Sequence, residues 1–557
     1  MEPDSTTPIL IVGAGPTGLA VACHMRRLGI DVRIIDKKPG PSTTSKAIGL
    51  QYRVSEILAC MGIVDRFLEV GGSPTNVNMY VKDRLILQLR FRGFGAACGR
   101  DAFEPRPIMI PQSETEAILG EVLLERGCRI EWGAAFVEFT QDKNRVLSKI
   151  QHADGRLEEV SCEWLIGCEG AHSLIRKQAG LSFVGKNYPL AFFMADVQLD
   201  WSVNHDENHV WVHSDGSFAA LPLPGPNTWR LFVEVNPQAD KYPDGVTLDI
   251  MRQLMAERIG DRETTISNPT WISEFKISCR MVDHYRKGRV FLAGDAAHIH
   301  SPTGGQGIAT GIQDATNLAW KLGRVMAGAP DALLDTYEEE RLPKAREVLR
   351  QTNRTTTVFF APTLLTRLLR DLLILPVLRI AWVQKKMFAK LSQLHVHYRD
   401  SRLSRQETAG GWLSGIRLRA GDRAPDVVFH KAASGDTASL FECLQPLRPV
   451  VFIGAGRDSK DAGRISRLLD ALDQLQIDAY VVSSPGEAAR HSHKRCLVDI
   501  HGDFCRIYGV TSDSLCLVRP DDHVGLIQRP VKEDGLRAYL QNICDPAAVE
   551  KAFATRR

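Results

Sequence analysis

The chain has 557 residues, 44% of them hydrophobic and 24% charged, too long for one ordinary core and too apolar for a disordered chain, so two or three packed units are expected. A net charge of +3 gives no reason to expect a nucleic acid or an acidic polymer as partner and points to a small molecule. Twelve cysteines without a C-x-x-C pair fit reduced thiols filling cores, in a cytoplasmic protein, better than disulfides or a zinc site.

Met1-Glu2-Pro3-Asp4 leads directly into a strand pattern, without the basic and apolar regions of a secretory signal, and no export is expected. Residues 8–12 form a short apolar run of the buried-strand type, 16–28 carry helical spacing, and 31–35 form a second strand ending in Asp36. This is a predicted βαβ unit. Strand character recurs at 129–139, 164–167 and 289–293, each run leading into a glycine-containing turn, and these are predicted to join one sheet. Between them, 76–94 and 191–235 alternate β-formers with aromatics such as Trp211, Phe218, Trp229 and Phe232, which predicts an antiparallel layer able to roof a pocket.

The apolar stretch 364–383 is interrupted by Arg367, Arg370, Asp371, Pro376 and Arg379, short of the roughly 18 uninterrupted residues of a membrane span. It reads as amphipathic helices packed on the protein itself, membrane-surface attachment through Lys385, Lys386 and Lys390 being the less common alternative. Residues 402–423, rich in Gly, Ser and Arg, predict a linker. Beyond it come a strand at 449–453, a helix at 462–475, a strand at 479–483 and a hairpin from 514–518 and 523–528.

Gly13-Ala14-Gly15-Pro16-Thr17-Gly18 follows the first strand and opens the first helix. Glycines there permit a tight turn and close approach of a pyrophosphate to a helix N-terminus, and Asp36 stands where ribose hydroxyls are held. The pattern predicts dinucleotide binding without separating FAD from NAD. A second motif, Arg289 to His298 with Gly294-Asp295 at its centre, runs through Ser301-Pro302-Thr303-Gly304-Gly305-Gln306-Gly307 into a helix. A third spans Trp164 to Arg176 and includes Gly167-Cys168-Glu169-Gly170.

These motifs resemble the flavoprotein aromatic monooxygenases typified by para-hydroxybenzoate hydroxylase, in the branch of phenol and polyketide hydroxylases. The resemblance implies that Asp295 holds the ribityl and phosphate region of a tightly bound FAD, that Gln112 contacts FAD, and that Gly305, Gly307 and the helix behind them face the isoalloxazine edge. It makes Pro302, Gly304 and Gly305 the candidate catalytic cradle. Three departures stand out: Glu169 replaces the usual Asp of a fingerprint used near FAD and the nicotinamide, Lys46 replaces an Arg, and Ala309 replaces an Asn beside the flavin pyrimidine.

The resemblance also implies an α/β fold of three domains and a helical segment. A discontinuous Rossmann-like, glutathione-reductase-type FAD domain takes 1–75, 110–185 and 281–350. A β-sheet substrate domain takes 76–109 and 186–280, a helical segment 351–405, and a thioredoxin-like domain without redox cysteines 421–557. That last domain reads as structural or dimer-supporting, a homodimer being left open. The implied reaction has NADPH or NADH reduce FAD as a transient donor, after which O2 adds at flavin C4a and the hydroperoxide hydroxylates a phenolic ring. Epoxidation, Baeyer-Villiger oxidation or oxidative decarboxylation of a polyketide, and a non-catalytic flavin scaffold, are the alternatives. Candidate substrate residues are Trp211, His213 and Phe218, which with Trp229 are read either as pocket lining or as core of the second domain, and Arg230, read equally as a partner for an anionic substrate or as a solvated strand residue. The pairs His298/His300, His395/His397 and His491/His493 lack a third ligand, so no metal is expected, and His298 is read as a hydrogen-bonded neighbour of Asp295.

Overall fold

The computed structural model describes all residues except 1–3, 44–46, 91–98, 214, 236–241, 243–244, 262, 301–304, 360–374, 379, 409–417, 455–458, 487–494, 511–512 and 555–557. Three eight-stranded sheets organise it. In the first, five strands run parallel in the order Val290–Leu292, Leu157–Gly167, Ser5–Val12, Val32–Asp36, Ile130–Trp132. Ile9, Leu10 and Ile11 are inaccessible to solvent, because helices cover both faces of a parallel sheet and leave no polar side. Helix α1 (Pro16–Arg27) returns the chain between the first two parallel strands. Helix α2 (Tyr52–Cys60), helix α3 (Gly307–Met326) and helix α4 (Ala332–Phe359) complete the packing, α3 lying against α1, α2 and α4.

The second sheet runs His298–Ile299, Thr265–Val282, Phe183–Asp200, Thr228–Val235, Phe218–Pro222, Asn208–Trp211, Asn76–Val81, Arg84–Arg90. It is antiparallel with one exception: Asn208–Trp211 pairs in parallel with Asn76–Val81. The two segments come from different parts of the chain, so no hairpin constrains their direction. One face buries Phe193, Trp211, Phe218, Trp229 and Leu231 with Met251 and Leu254 of the Leu248–Ile259 helix. The strand His298–Ile299 pairs with Arg280 and Met281, tying this sheet to the segment that follows Gly294-Asp295.

The third sheet contains a parallel strand–helix–strand unit, Val450–Gly454, Ser459–Gln474 and Asp478–Ser483, flanked by the antiparallel hairpin Leu515–Val518 and Val524–Arg529, a thioredoxin-like arrangement. Its edge strand is Arg405–Thr408, parallel to Val524–Arg529. The predicted linker is therefore part sheet: Arg405, Gln406, Glu407 and Thr408 complete an edge that glycine and arginine content did not reveal. Among the described residues, no helix is long and apolar enough to cross a membrane, and every cysteine but Cys505 is buried.

Candidate functional site

Register sets the site. Val12 lies opposite Gly167, and Gly167 opposite Leu292, so three parallel strands end at one level and release their turns on the same edge, where open α/β sheets hold ligands. The turns interlock through Gly13 N–H to Ile35 O at 2.8 Å, Cys168 N–H to Val12 O at 2.8 Å and Ala293 N–H to Gly167 O at 3.1 Å. Gly13 has φ +104°, a region closed to most side chains. A Cβ on Gly13 would run into the Cys168 carbonyl and one on Gly18 into the Gly13 carbonyl, whereas one on Gly15 would meet nothing nearer than Glu116 Oε1 at 4.0 Å. The turn is closed toward the sheet and open at Gly15. Pro16 at the start of α1 forfeits no helical bond, and no side chain caps that end.

Thr17 joins this turn to the second motif. A Cβ on Gly294 would fall 2.5 Å from Thr17 Oγ1, and one on Gly311 of α3 would overlap the same atom. The glycine turn and Gly294-Asp295, far apart in sequence, are thus in direct contact because the sheet brings its strand ends together. Asp295 stands exposed on the single turn Gly294–Ala296. Asp36 is held by Ala14 N–H at 2.8 Å and Lys38 N–H at 2.9 Å. Gln112 accompanies it, donating from Nε2 to Glu116 Oε1 at 2.8 Å and from its backbone to Ala47 O at 3.1 Å.

Helix α3 presents a second uncapped N-terminus. Its N-cap, Gln306, makes no side-chain cap bond, and its first turn carries no acidic residue. Gln306 is 1% exposed, yet neither amide atom meets a hydrogen-bond partner, an unfavourable state for a buried amide unless a ligand supplies the missing partner. Gly305 (φ +59°) precedes it and packs beside Gln51. An extended, anionic, hydroxyl-rich dinucleotide fits this set: two free helix ends for negative charge, an open glycine for close approach, carboxylates for hydroxyls and an unsatisfied amide.

The other expected site residues have varied surroundings, Glu169 lying beside Gly13 and Ala309 in the first turn of α3. Lys46, Pro302 and Gly304, with His491 and His493, lie outside the described residues. Ala309 is fully buried in the core, its carbonyl taken by Gln313 Nε2 at 3.0 Å. Glu169 accepts Ile175 N–H at 2.9 Å at the start of the Leu174–Gln178 helix, and burial raises its pKa. His298 bonds not to Asp295 but to Asp314 Oδ2, at 2.6 Å. Arg230 is not solvated: it is wholly buried, its Nε and Nη2 each 2.6 Å from Asp196, while its Nη1 meets no partner among the described residues. Trp211 and Phe218 face the Leu248–Ile259 helix as core, and His213 Nδ1 accepts Asp215 N–H in a turn at 3.1 Å. The opposite face of that sheet carries Phe192, Phe232 and Phe275, with ring centroids 5.4 and 6.5 Å apart. Sequence reasoning passed over most of this face because both faces are apolar, leaving alternation without a polar marker. It also missed Asp314 and Arg341, whose helical positions resemble ordinary surface charges.

Comparison with known proteins agrees with this geometry. Residues 6–352 match the family described as FAD binding domain. The chain is 36% identical over 412 residues to 6-methylpretetramide 4-monooxygenase of Streptomyces rimosus, covering 72% of each protein. It is 31% identical over 553 residues to 12-dehydrotetracycline 5-monooxygenase/anhydrotetracycline 6-monooxygenase of Streptomyces rimosus subsp. rimosus, covering 97% of this chain and 99% of that one. The solved structure of OxyS anhydrotetracycline hydroxylase from Streptomyces rimosus superposes with a TM-score of 0.76 at 28% identity, over 97% of this chain and 99% of its own.

Proposed function

This chain belongs to the FAD-binding-domain family of flavoprotein monooxygenases, and on that premise we propose that it hydroxylates a polycyclic phenolic polyketide with NAD(P)H and O2. The family supplies the reaction class. The multi-ring substrate class rests on the anhydrotetracycline and 12-dehydrotetracycline monooxygenase names of relatives matched over nearly their full length and on the aromatic group Phe192, Phe232 and Phe275 on the second sheet. The observation that carries the reading is the contact of the glycine turn with Gly294-Asp295 through Thr17, beside two uncapped helix ends.

FAD, when bound, supplies the electron transfer and dioxygen chemistry. The chain's own residues hold and shield. Gly15 and the N-terminus of α1 would hold the pyrophosphate, Asp36 the ribose hydroxyls, and Asp295 the hydroxylated chain next to the flavin. The N-terminus of α3, with the Gln306 amide, would hold the polar edge of the flavin ring and favour negative charge there. Phe192, Phe232 and Phe275 orient an aromatic substrate and keep water from the reacting ring.

The test is direct. Purified protein is expected to be yellow with one FAD per chain, to oxidise NAD(P)H faster when fused-ring phenols are added, and to yield a product carrying one atom from labelled O2. Hydrogen peroxide as the sole product across such a screen would exclude hydroxylation of this class.

A further inference from the structure

A layer of buried charge that the reaction does not use separates the Gly294-Asp295 turn from the third sheet. Asp314 of α3 is at its centre, its side chain shut off from solvent. Oδ2 accepts Gly294 N–H at 3.1 Å and His298 Nε2 at 2.6 Å, while Oδ1 accepts Arg341 Nε at 2.7 Å. Burial opposes its ionisation, but Arg341 and then His298 hold its carboxyl below the usual value. Arg341, on α4, also donates from Nη2 to Thr310 O at 3.1 Å and from Nη1 to Tyr398 Oη at 3.0 Å and Gln313 Oε1 at 3.5 Å. The Tyr398 ring lies 4.3 Å from that of His523, in the turn between the last two strands of the third sheet. One unbroken series therefore runs from the third sheet through Tyr398, Arg341 and Asp314 to the backbone of Gly294.

A second cluster provides a contrast. Glu340, the neighbour of Arg341, accepts Arg519 at 2.7 and 2.8 Å, Lys321 at 2.8 Å and Ser401 Oγ at 2.6 Å. It joins the same two sheets and is as deeply buried, but among the described residues its hydrogen bonds reach neither Asp314 nor Gly294.

We propose that Arg341 is a positioning residue for the flavin, transmitting the seating of the third sheet to the turn that holds Asp295; this rests on the reading that the turn binds FAD. Guanidinium geometry is the physical reason. A planar fork fixes the relative directions of Asp314, Thr310 and Tyr398 at once, which an ammonium on a flexible stem does not. Because Asp314 also grips Gly294 N–H, any tilt of the fork is delivered to the backbone beside Asp295.

The experiment uses the full-length protein and titrates FAD into deflavinated Tyr398→Phe, Arg341→Lys and Ser401→Ala, following visible circular dichroism of the bound flavin and thermal unfolding in parallel. Tyr398→Phe and Arg341→Lys are expected to raise the FAD Kd about fivefold, the loss of roughly one buried hydrogen bond, and to alter the dichroism band. Ser401→Ala is expected to lower the Tm comparably while leaving Kd and band unchanged. A Tyr398→Phe Kd within twofold of the parent, or an equal rise in Ser401→Ala, overturns the proposal. Failure of the parent protein to take up FAD would instead overturn the reading beneath it.

Discussion

The carboxyl end of the first sheet and the apolar face of the second prepare for ligands by different means. The first works with backbone: glycines that admit close approach, two helix ends with free N–H groups, and turns whose positions follow from strand register. The second works with side chains, Phe192, Phe232 and Phe275 standing on one face while Trp211 and Phe218 fill the other. Backbone sites tolerate almost no added volume. Side-chain sites exchange groups at the cost of specificity alone.

The largest effect should come from Gly18→Ala. Its Cβ has only the Gly13 carbonyl to enter, so the turn must open, weakening FAD at least roughly 100-fold and destabilising the apoprotein by about 3 kcal/mol. Absorbance of the purified protein near the flavin band and a urea melt check both, and a normal yellow variant would break the contrast with the second sheet.

Next in size is a pH effect in the buried polar layer between the first and third sheets. Burial, then Asp521 acting against it, brings His523 down from its ordinary value to about 3. The unfolded chain therefore binds a proton between pH 3 and 6.5 that the folded chain refuses. Stability is complete above 6.5 and falls on acidification by up to about 1.4 kcal/mol per pH unit from this group. Denaturant midpoints from pH 4 to 7 should show this slope, and His523→Asn should flatten it.

On the second sheet, Phe232→Ala should raise the substrate KM about tenfold with little change in FAD affinity. Trp211→Phe should leave KM unchanged and lower stability by roughly 1 to 2 kcal/mol through a core cavity. Equal KM effects would show that both faces meet the substrate. The smallest effect sharpens the cradle itself: Gln306→Leu should stabilise the apoprotein by about 1 kcal/mol, by removing an unsatisfied buried amide, yet weaken FAD about fivefold.

The βαβ unit, the glycine turn and the Gly294-Asp295 segment were legible because their constraints are local. A strand, a glycine and a helix start must follow one another directly for the turn to close. The C-terminal hairpin was legible for the same reason. The faces of the second sheet were not, since Phe192 and Phe193 are adjacent and equally apolar: strand periodicity puts them on opposite sides, but only packing against the Leu248–Ile259 helix decides which side is core. Arg230 was misread because its partner, Asp196, lies on another strand.

Sequence alone determined the cofactor class and the kind of sheet that holds it, because turn and helix-end chemistry is written in consecutive residues. Tertiary structure alone decided that Thr17 touches Gly294, that Arg405–Thr408 is an edge strand, and that Asp314, Arg341 and Tyr398 form one buried series. Those facts depend on which distant segments pack together, and a buried charge carries no local mark of the partner that makes its burial affordable.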